Sequence, residues 1–156
     1  MADIFLMIEN IQGESTDLFH KDEIEIVSFS WNENNPSSGV SPTPGKVVMS
    51  DLSVQMAVSK ASPKLFLFCA KGDHIRTAFL TVRKPGKGRE YYLKWTFSDI
   101  QITSYGATIN PGEQKPTDHI TLNFKKIEIE YKETKPDGTL GPPVKAGWDV
   151  VQNKPV

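Results

Sequence analysis

Cysteine and long apolar runs are nearly absent from this chain of 156 residues, and both shortages limit how it can be built. A single cysteine, Cys69, cannot form an internal disulfide, so stability must come from burial and backbone hydrogen bonds. No apolar run approaches the ~20 residues that span a bilayer, so no membrane insertion is expected. The N-terminus lacks a basic segment ahead of its short apolar stretch, which argues against a cleaved signal peptide. We therefore expect folding in the cytoplasm, with any export using another route.

An excess of charge of one sign is missing as well. The formal net charge is −1, so no overall field attracts nucleic acid or anionic lipid. Basic residues do gather at one turn, but a nucleic-acid surface would need a wider basic face with exposed aromatic side chains. We interpret the group as a solvated turn and expect no nucleic-acid partner; it comprises Arg83, Lys84, Lys87 and Arg89.

Clustered catalytic or metal-binding side chains are also missing from the sequence. The three histidines are scattered, none has metal-ligand spacing, and one cysteine cannot form a thiolate cluster. The segment from Gly39 to Val47 resembles a phosphate loop only superficially, because its spacing is too long and its prolines lack N–H groups. We therefore predict no catalytic residues, no metal, no cofactor and no enzymatic activity. The alternative is a β-barrel hydrolase or small-ligand-binding protein with a site built from loops.

Period-2 alternation of apolar and polar residues is abundant, and it is typical of strands with one buried face. Between Thr117 and Tyr131 the apolar residues are first even-numbered and then odd-numbered: Ile120, Leu122 and Phe124, then Ile127, Ile129 and Tyr131. No turn-forming residue lies at this phase change, so we predict a β-bulge at Lys125–Lys126 within one long strand. Bulges bend strands, and bent strands allow a sheet to close into a barrel.

Other segments extend this pattern. Phase changes occur near Val27 and Ser50, and the change at Asp99 is compatible with a bend or a turn. Ile75–Lys84 and Glu90–Ser98 flank a Pro-Gly turn and predict a hairpin. Strands separated by Gly- and Pro-rich turns predict a mainly β fold. We expect one domain over residues 1–156, a small closed or nearly closed antiparallel β-barrel with bulged strands.

One α-helix is predicted at about Pro63–Lys71. Ser62 suits the N-cap, Pro63 the first helical position, and Gly72 the C-terminal stop. Phe66 and Leu67 widen the apolar face, so we expect a well-buried helix that could plug one end of the barrel. Cys69, on the same face, is interpreted as a small core hydrophobe.

Several segments occur in a recognisable order. Asp3–Ile8 opens the chain, Gly13-Glu14-Ser15 follows, a strand ends in Trp31, and Gly147-Trp148-Asp149 lies near the end. This ordered set resembles the haemolysin-coregulated protein (Hcp) family, whose members are tube subunits of the bacterial type VI secretion system. No single motif is decisive, but the resemblance runs over nearly the whole chain.

The resemblance implies a fold similar to phage tail-tube proteins and a subunit of hexameric rings that stack into a tube. It further implies a spike protein at the tube tip, a surrounding contractile sheath, and small secreted effectors carried in the lumen. Because the chain ends soon after Trp148, we expect no C-terminal effector extension.

Functional residues are nominated by strand parity and by the resemblance together. If Val27, Phe29 and Trp31 face the core, Ser28 and Ser30 face outward and would contact cargo in the lumen; simple solvent exposure is the alternative. We expect Gly147 and Trp148 to anchor the last strand, and leave open what Glu128 and Glu130 face. The loop of residues 32–46 is predicted to stack rings or, alternatively, to be disordered; its candidate contacts are Asn34, Asn35, Pro36, Pro42, Pro44 and Gly45.

Overall fold

Strands dominate the computed structural model, which describes residues 3–36, 46–84 and 90–156. Within these ranges there is one helix, α1 (Ser62–Lys71), so the mainly β prediction is confirmed. The first six strands are β1 (Asp3–Ile8), β2 (Ile24–Glu25), β3 (Ser28–Ser30), β4 (Glu33–Asn34), β5 (Val48–Met49) and β6 (Leu52–Ala57). The others are β7 (His74–Arg83), β8 (Leu93–Thr108), β9 (Thr117–Asn123), β10 (Lys126–Thr134), β11 (Leu140–Asp149) and β12 (Lys154–Pro155).

The long strand β8 joins two parts of an antiparallel sheet. Its first half pairs with β10, which continues through β11 to β12, and its second half pairs with β9, which continues through β6 to β3. On its other side β8 pairs with β7, followed by β1 and β2. We call the part formed by β10, β11 and β12 the wing.

Residues 24–30 include β2, at one end of the strand order, and β3, at the other end, and so connect the two. The N–H of Ile26 donates to the carbonyl of Ile4 on β1 at 2.9 Å, and the N–H of Val27 donates to the carbonyl of Gln55 on β6 at 2.8 Å. The phase change predicted near Val27 is therefore the point where the chain leaves one partner strand for another. Val27 itself is exposed, so the expectation that it faces the core is wrong; Phe29 and Trp31 do pack against the core.

The β-bulge predicted at Lys125–Lys126 is wrong. The chain divides there into β9 and β10, yet both pair with β8 in one continuous register, from Gln101 opposite Asn123 to Ser98 opposite Lys126. No extra residue enters; instead β8 changes its buried face at the same level, from Phe97 to Ile100. The strands thus bend together, and the register shifts of β8 and β10 lie elsewhere, at 102–104 and 132–134.

Asp99 lies at this shared bend. Its φ of 52° is in the left-handed region that aspartate tolerates better than most residues. Because β8 runs unbroken from Leu93 to Thr108, the turn alternative at Asp99 is wrong. β7 switches its buried face at the same level, between Ile75 and Ala78, so the bend extends across neighbouring strands.

The core lies between the sheet and α1, and its fully buried side chains come from strands throughout the chain. Its largest members include Leu6, Leu52, Met56, Leu65, Leu80, Phe97, Ile100, Ile120 and Leu122. The hairpin of β7 and β8 buries Ala78, Leu80 and Phe97 on one face, as predicted.

Helix α1 ends as predicted but begins differently. Gly72 stops it, with its N–H donating to the carbonyl of Phe68 at 2.9 Å. Ala61, not Ser62, holds the N-cap position, and the Ser62 hydroxyl donates instead to the buried carboxylate of Asp118 on β9. Leu65 is buried, whereas Phe66 and Leu67 are exposed, so the prediction that these two side chains are buried is wrong for the isolated chain.

The C-terminal strand is longer than the sequence suggested. Gly141, Pro142 and Pro143 lie inside β11 and do not precede it. Proline is tolerated there because β12 pairs with β11 only at Trp148 and Asp149, which leaves the rest of that edge open.

Candidate functional surfaces

A polar face covers the outer side of β3, β6, β9 and the second half of β8. Ser28 and Ser30 are exposed on β3, as predicted, and they alternate with the more buried Phe29 and Trp31. The register places Ser30 beside Ser53, Ser53 beside Thr121, and Thr121 beside Ser104. Four hydroxyl groups thus form a row across four strands.

A second row runs parallel to the first. Ser28 lies opposite Gln55, Gln55 opposite His119, and His119 opposite Gly106. We define the polar face by both rows: Ser28, Ser30, Ser53, Gln55, Gly106, Ser104, His119 and Thr121. It carries no Lys, Arg, Asp or Glu among these members, so it offers hydrogen bonds rather than charge.

Hydroxyl contacts order one end of the polar face. The Thr121 Oγ1 lies 2.5 Å from the Ser104 Oγ and 2.7 Å from the Thr103 Oγ1, which itself donates to the Asp51 carboxylate at 2.7 Å. Of these members, only Ser28 and Ser30 were predicted from the sequence. Among the other members, Ser53, Gln55 and Thr121 occupy polar positions between apolar neighbours, but only strand register brings all eight together.

A hollow of about 860 Å³ lies between the β4–β5 hairpin and the wing. All three tryptophans of the chain line it. The remaining lining residues come from the hairpin, from β10 and β11, and from the last turn: Glu33, Asn35, Val47, Met49, Ile127, Ile129, Ala146, Gly147 and Asn153. We call this the tryptophan hollow; its tryptophans are Trp31, Trp95 and Trp148.

Two walls of the hollow have unsatisfied polar groups. The indole N–H groups of Trp31 and Trp148 are buried and find no hydrogen-bond partner among the residues that the structure describes. Leaving such a donor unpaired costs about 1–3 kcal/mol. Trp95 instead makes an edge contact with Phe29, with ring centroids 5.3 Å apart. The isolated chain therefore holds two of its three tryptophans at an energetic cost.

Gly147 and Trp148, which were expected to anchor the last strand, lie near the end of β11. A Cβ at Gly147 would lie 3.2 Å from the Ile127 carbonyl oxygen, so glycine allows β11 to approach β10 closely. Trp148 is half-buried and packs against the core. Asp149 is buried and accepts a hydrogen bond from the Gln152 N–H at 2.9 Å, which closes the following turn.

The predicted ring-stacking segment is only partly described. Asn34 belongs to β4, Asn35 lines the tryptophan hollow, and Pro36 is exposed beside it. Pro42, Pro44 and Gly45 lie outside the described residues, as do Lys87 and Arg89 of the basic turn.

The Gly13-Glu14-Ser15 motif ties the loop of residues 9–23 to its surroundings. The N–H of Gly13 donates to the Asp22 carbonyl at 2.7 Å, and a Cβ there would lie 2.5 Å from the Glu23 carbonyl oxygen, so no larger residue fits. The Glu14 carboxylate accepts a hydrogen bond from the Lys60 N–H at 2.8 Å, just before α1. These contacts make the motif structural.

Charged groups hold the base of the same loop. The Arg83 guanidinium donates to both carboxylate oxygens of Asp17 and to Asp3, and it lies over the Phe5 ring. These hydrogen bonds from Arg83 lower the pKa of Asp17. Beside them His20 stacks on Phe5 with centroids 4.3 Å apart. The tip of the loop therefore projects from an ordered, ion-paired base.

The outer face of the wing carries mixed charge. Glu128 is exposed, while Glu130 lies 3.9 Å from Lys145 and accepts a hydrogen bond from the Tyr91 hydroxyl at 3.4 Å. Burial, followed by the charge of Glu130, raises the pKa of Tyr91. This arrangement agrees with a mixed-charge strand face and not with a pair of catalytic carboxylates.

Within the described ranges, no group of three or more His, Cys, Asp or Glu side chains is placed to hold a metal ion. The same residues include no helix with the length and apolarity to traverse a bilayer.

The antiparallel β fold, with α1 packed against it, is shared with known secretion proteins. A solved structure described as a type six secretion system protein superposes with a TM-score of 0.94 at 26% identity and covers 100% of both chains. Hcp1 from Salmonella typhimurium superposes with a TM-score of 0.85 at 35% identity and covers 99% of each chain.

Sequence comparison agrees with these structures. Residues 5–131 match the family model described as "Type VI secretion system effector, Hcp". Protein hcp1 of Pseudomonas aeruginosa is 35% identical over 97% of each chain. The chain therefore belongs to the Hcp family, whose members are secreted tube proteins of the type VI secretion system and are not an enzyme family.

Proposed function

We propose that this chain forms hexameric rings that stack into the inner tube of a type VI secretion system. Family membership supports the assembly. The observation that best supports this role is the composition of the polar face. Eight neighbouring positions on four strands present hydroxyl, amide, imidazole and backbone groups and no Lys, Arg, Asp or Glu, although the chain has such side chains elsewhere on its strands.

The polar face lines the lumen in this proposal, with Ser28 and Ser30 among its cargo contacts. Uncharged hydrogen-bonding groups suit a wall that must hold and then release different small effectors. Each contact is weak, with a net value of about 0.5–1.5 kcal/mol, because water competes for the same groups. Retention then depends on many contacts made together.

The barrel is closed, or nearly closed, by residues 24–30. Their backbone hydrogen bonds to β1 and β6 support this closure, because they connect the two ends of the strand path. Closure leaves fewer sheet edges open to unwanted pairing.

The remaining parts of the proposal follow from the family. The protein has no catalytic activity and needs no cofactor. It assembles in the cytoplasm with the spike and the contractile sheath and is secreted without a cleaved signal peptide. Asn34, Asn35 and Pro36 contact the next ring together with Pro42, Pro44 and Gly45, for which this role stays a prediction.

A hydrolase or ligand-binding site built from loops is less well supported. Glu33 is the only titratable residue among the described residues that line the tryptophan hollow. Acid–base catalysis would need a second positioned group.

The first test measures ring formation and cargo retention together. We expect the purified protein to scatter light with a mass of about six times 17.4 kDa, and electron microscopy to show rings with a central hole. Ser30→Arg should leave the rings intact but reduce the effector that co-purifies, because a long charged side chain would fill the lumen wall. Thr134→Arg, on the exposed end of β10, is the matched control and should retain cargo.

A monomer at all concentrations would contradict the ring. Unchanged cargo retention by Ser30→Arg rings would remove the support for Ser30 as a lumen residue.

A further inference from the structure

The outer side of α1 carries an apolar stripe that none of the residues described by the structure covers. Pro63, Phe66, Leu67 and Ala70 follow the i, i+3, i+4, i+7 spacing of one helical face, and all four are exposed. Phe66 is 60% exposed and Leu67 is 48% exposed. We call these four residues the helix stripe. The opposite side of the helix already packs against the core through Leu65, Phe68 and Cys69.

A helix that is apolar on both sides is usually buried on both sides. The helix stripe therefore indicates a surface that is covered in an assembly. Contiguous apolar surface of this kind on a folded domain commonly marks a protein–protein contact.

A second uncovered apolar surface continues outward from the tryptophan hollow. Ile129 and Tyr131 follow Ile127 on the same side of β10, and Ala146 and Val144 lie directly opposite them on β11. We call these four residues the apolar strip: Ile129, Tyr131, Val144 and Ala146. Val144 is 70% exposed and Tyr131 is 47% exposed, although both point to the side that is core elsewhere in the sheet.

The two surfaces differ in shape. The helix stripe is convex, and a helix with its side chains is about 10–12 Å wide. The tryptophan hollow is concave, lies between a hairpin and the wing, and includes Ile129 and Ala146 of the apolar strip. Charge is also complementary. Lys64 and Lys71 lie on the helix beside the stripe, with Lys71 paired to Asp73 at 3.0 Å, whereas Glu33 is the charged residue among the described residues that line the hollow.

We propose that the helix stripe of one copy packs against the tryptophan hollow and apolar strip of the next copy, and that this is the lateral contact of the ring. The inference rests on the proposed function and identifies the surfaces that make the ring. Because the two surfaces are unlike, the contact is head to tail, and a contact of this kind forms closed rings when its rotation closes. Both uncovered apolar surfaces are then buried by one type of contact.

The test uses one variant for each surface. The stripe variant carries Phe66→Asp and Leu67→Asp, and the strip variant carries Ile129→Asp and Val144→Asp. We expect each to be a folded monomer by light scattering and circular dichroism at concentrations where the unaltered protein forms rings. Ile109→Asp and Leu18→Asp also place an acid at exposed apolar positions, at 53% and 79% exposure, but outside both surfaces. These two controls should still form rings.

Mixing the stripe variant with the strip variant gives the sharpest readout. Each retains one intact surface, so a mixed pair can make one contact and no more. We expect a species of about twice 17.4 kDa that does not grow with concentration. Rings from either variant, or a mixture that stays monomeric while both variants are folded, would overturn the pairing.

A cross-link provides a readout for the case in which an acidic variant fails to fold. Leu67→Cys and Ile129→Cys in one chain, with Cys69→Ala to remove the native thiol, should form intermolecular disulfides that extend to six subunits after mild oxidation. Each single cysteine should give no species beyond a dimer.

These outcomes distinguish a failure of the proposed ring from a failure of the inferred contact alone. An unaltered protein that is monomeric at every concentration contradicts the ring and the inferred contact together. Rings that persist in both acidic variants and give no cross-link contradict the contact alone and leave the ring intact.

Discussion

The polar face and the wing use the same alternation of apolar and polar residues, but they differ in what covers their apolar sides. Behind the polar face, Val54, Ile120 and Leu122 are fully or almost fully buried. On the wing, the corresponding side is buried at Ile127 and progressively uncovered at Ile129 and Tyr131. Alternation therefore shows which residues share a face, whereas the extent of the core decides whether that face is covered within one chain.

The largest expected effect on stability comes from truncating one aliphatic side chain behind the polar face, and it should exceed the effect of the same change on the wing. Leu122→Ala should destabilise the monomer by about 2–5 kcal/mol, because it leaves a cavity in a closed core. Ile129→Ala should cost less than about 1 kcal/mol in the monomer, since the side chain is already 37% exposed. Urea unfolding at a concentration below ring assembly would measure both. Equal losses would mean that the wing is as well packed as the core.

An intermediate effect is expected at two glycines, one in each region. Gly147→Ala on the wing places a Cβ 3.2 Å from the Ile127 carbonyl oxygen and should cost about 1–3 kcal/mol. Gly106→Ala on the polar face meets nothing within 4 Å and should be nearly neutral or slightly stabilising. Thermal unfolding of the two monomers checks this, and a larger loss at Gly106 would contradict the predicted order.

The smallest effect concerns how stability depends on pH in acid, and it should arise at the base of the loop of residues 9–23. Arg83 lowers the pKa of Asp17 below its ordinary value of 3.8, so this pair contributes stability that is complete above that value. The contribution is lost as the pH falls through the lowered pKa in the folded state. Arg83→Gln should therefore flatten the dependence of the urea midpoint on pH in this acid range. Neither the polar face nor the wing should change that dependence, and Ser30→Ala and Ile129→Ala are the controls.

Local patterns predicted much of the fold. The hairpin with Ala78, Leu80 and Phe97 on one face, the end of α1 at Gly72, and the outward direction of Ser28 and Ser30 followed from parity and from the conformational preference of glycine. These features depend on residues near one another in the sequence, where the physical signal is strong.

Features that depend on distant partners were not predictable in the same way. The phase change at Lys125–Lys126 could have been an inserted residue or a bend, and only the register with β8 distinguishes the two. Phe66 and Leu67 were expected to be buried because an apolar side chain does not reveal whether its own chain or another covers it. The rows across the polar face also needed strand register.

The shared strand β8 has a mechanical consequence. Its 16 residues pair first with β10 and then with β9, and β7 pairs along its other side. A pull along β8 from its wing end would load many backbone hydrogen bonds in parallel, because they lie across the direction of the pull. These bonds must fail together before the wing can separate from the polar face. One continuous strand thus couples the two surfaces mechanically when the subunit is pulled along β8.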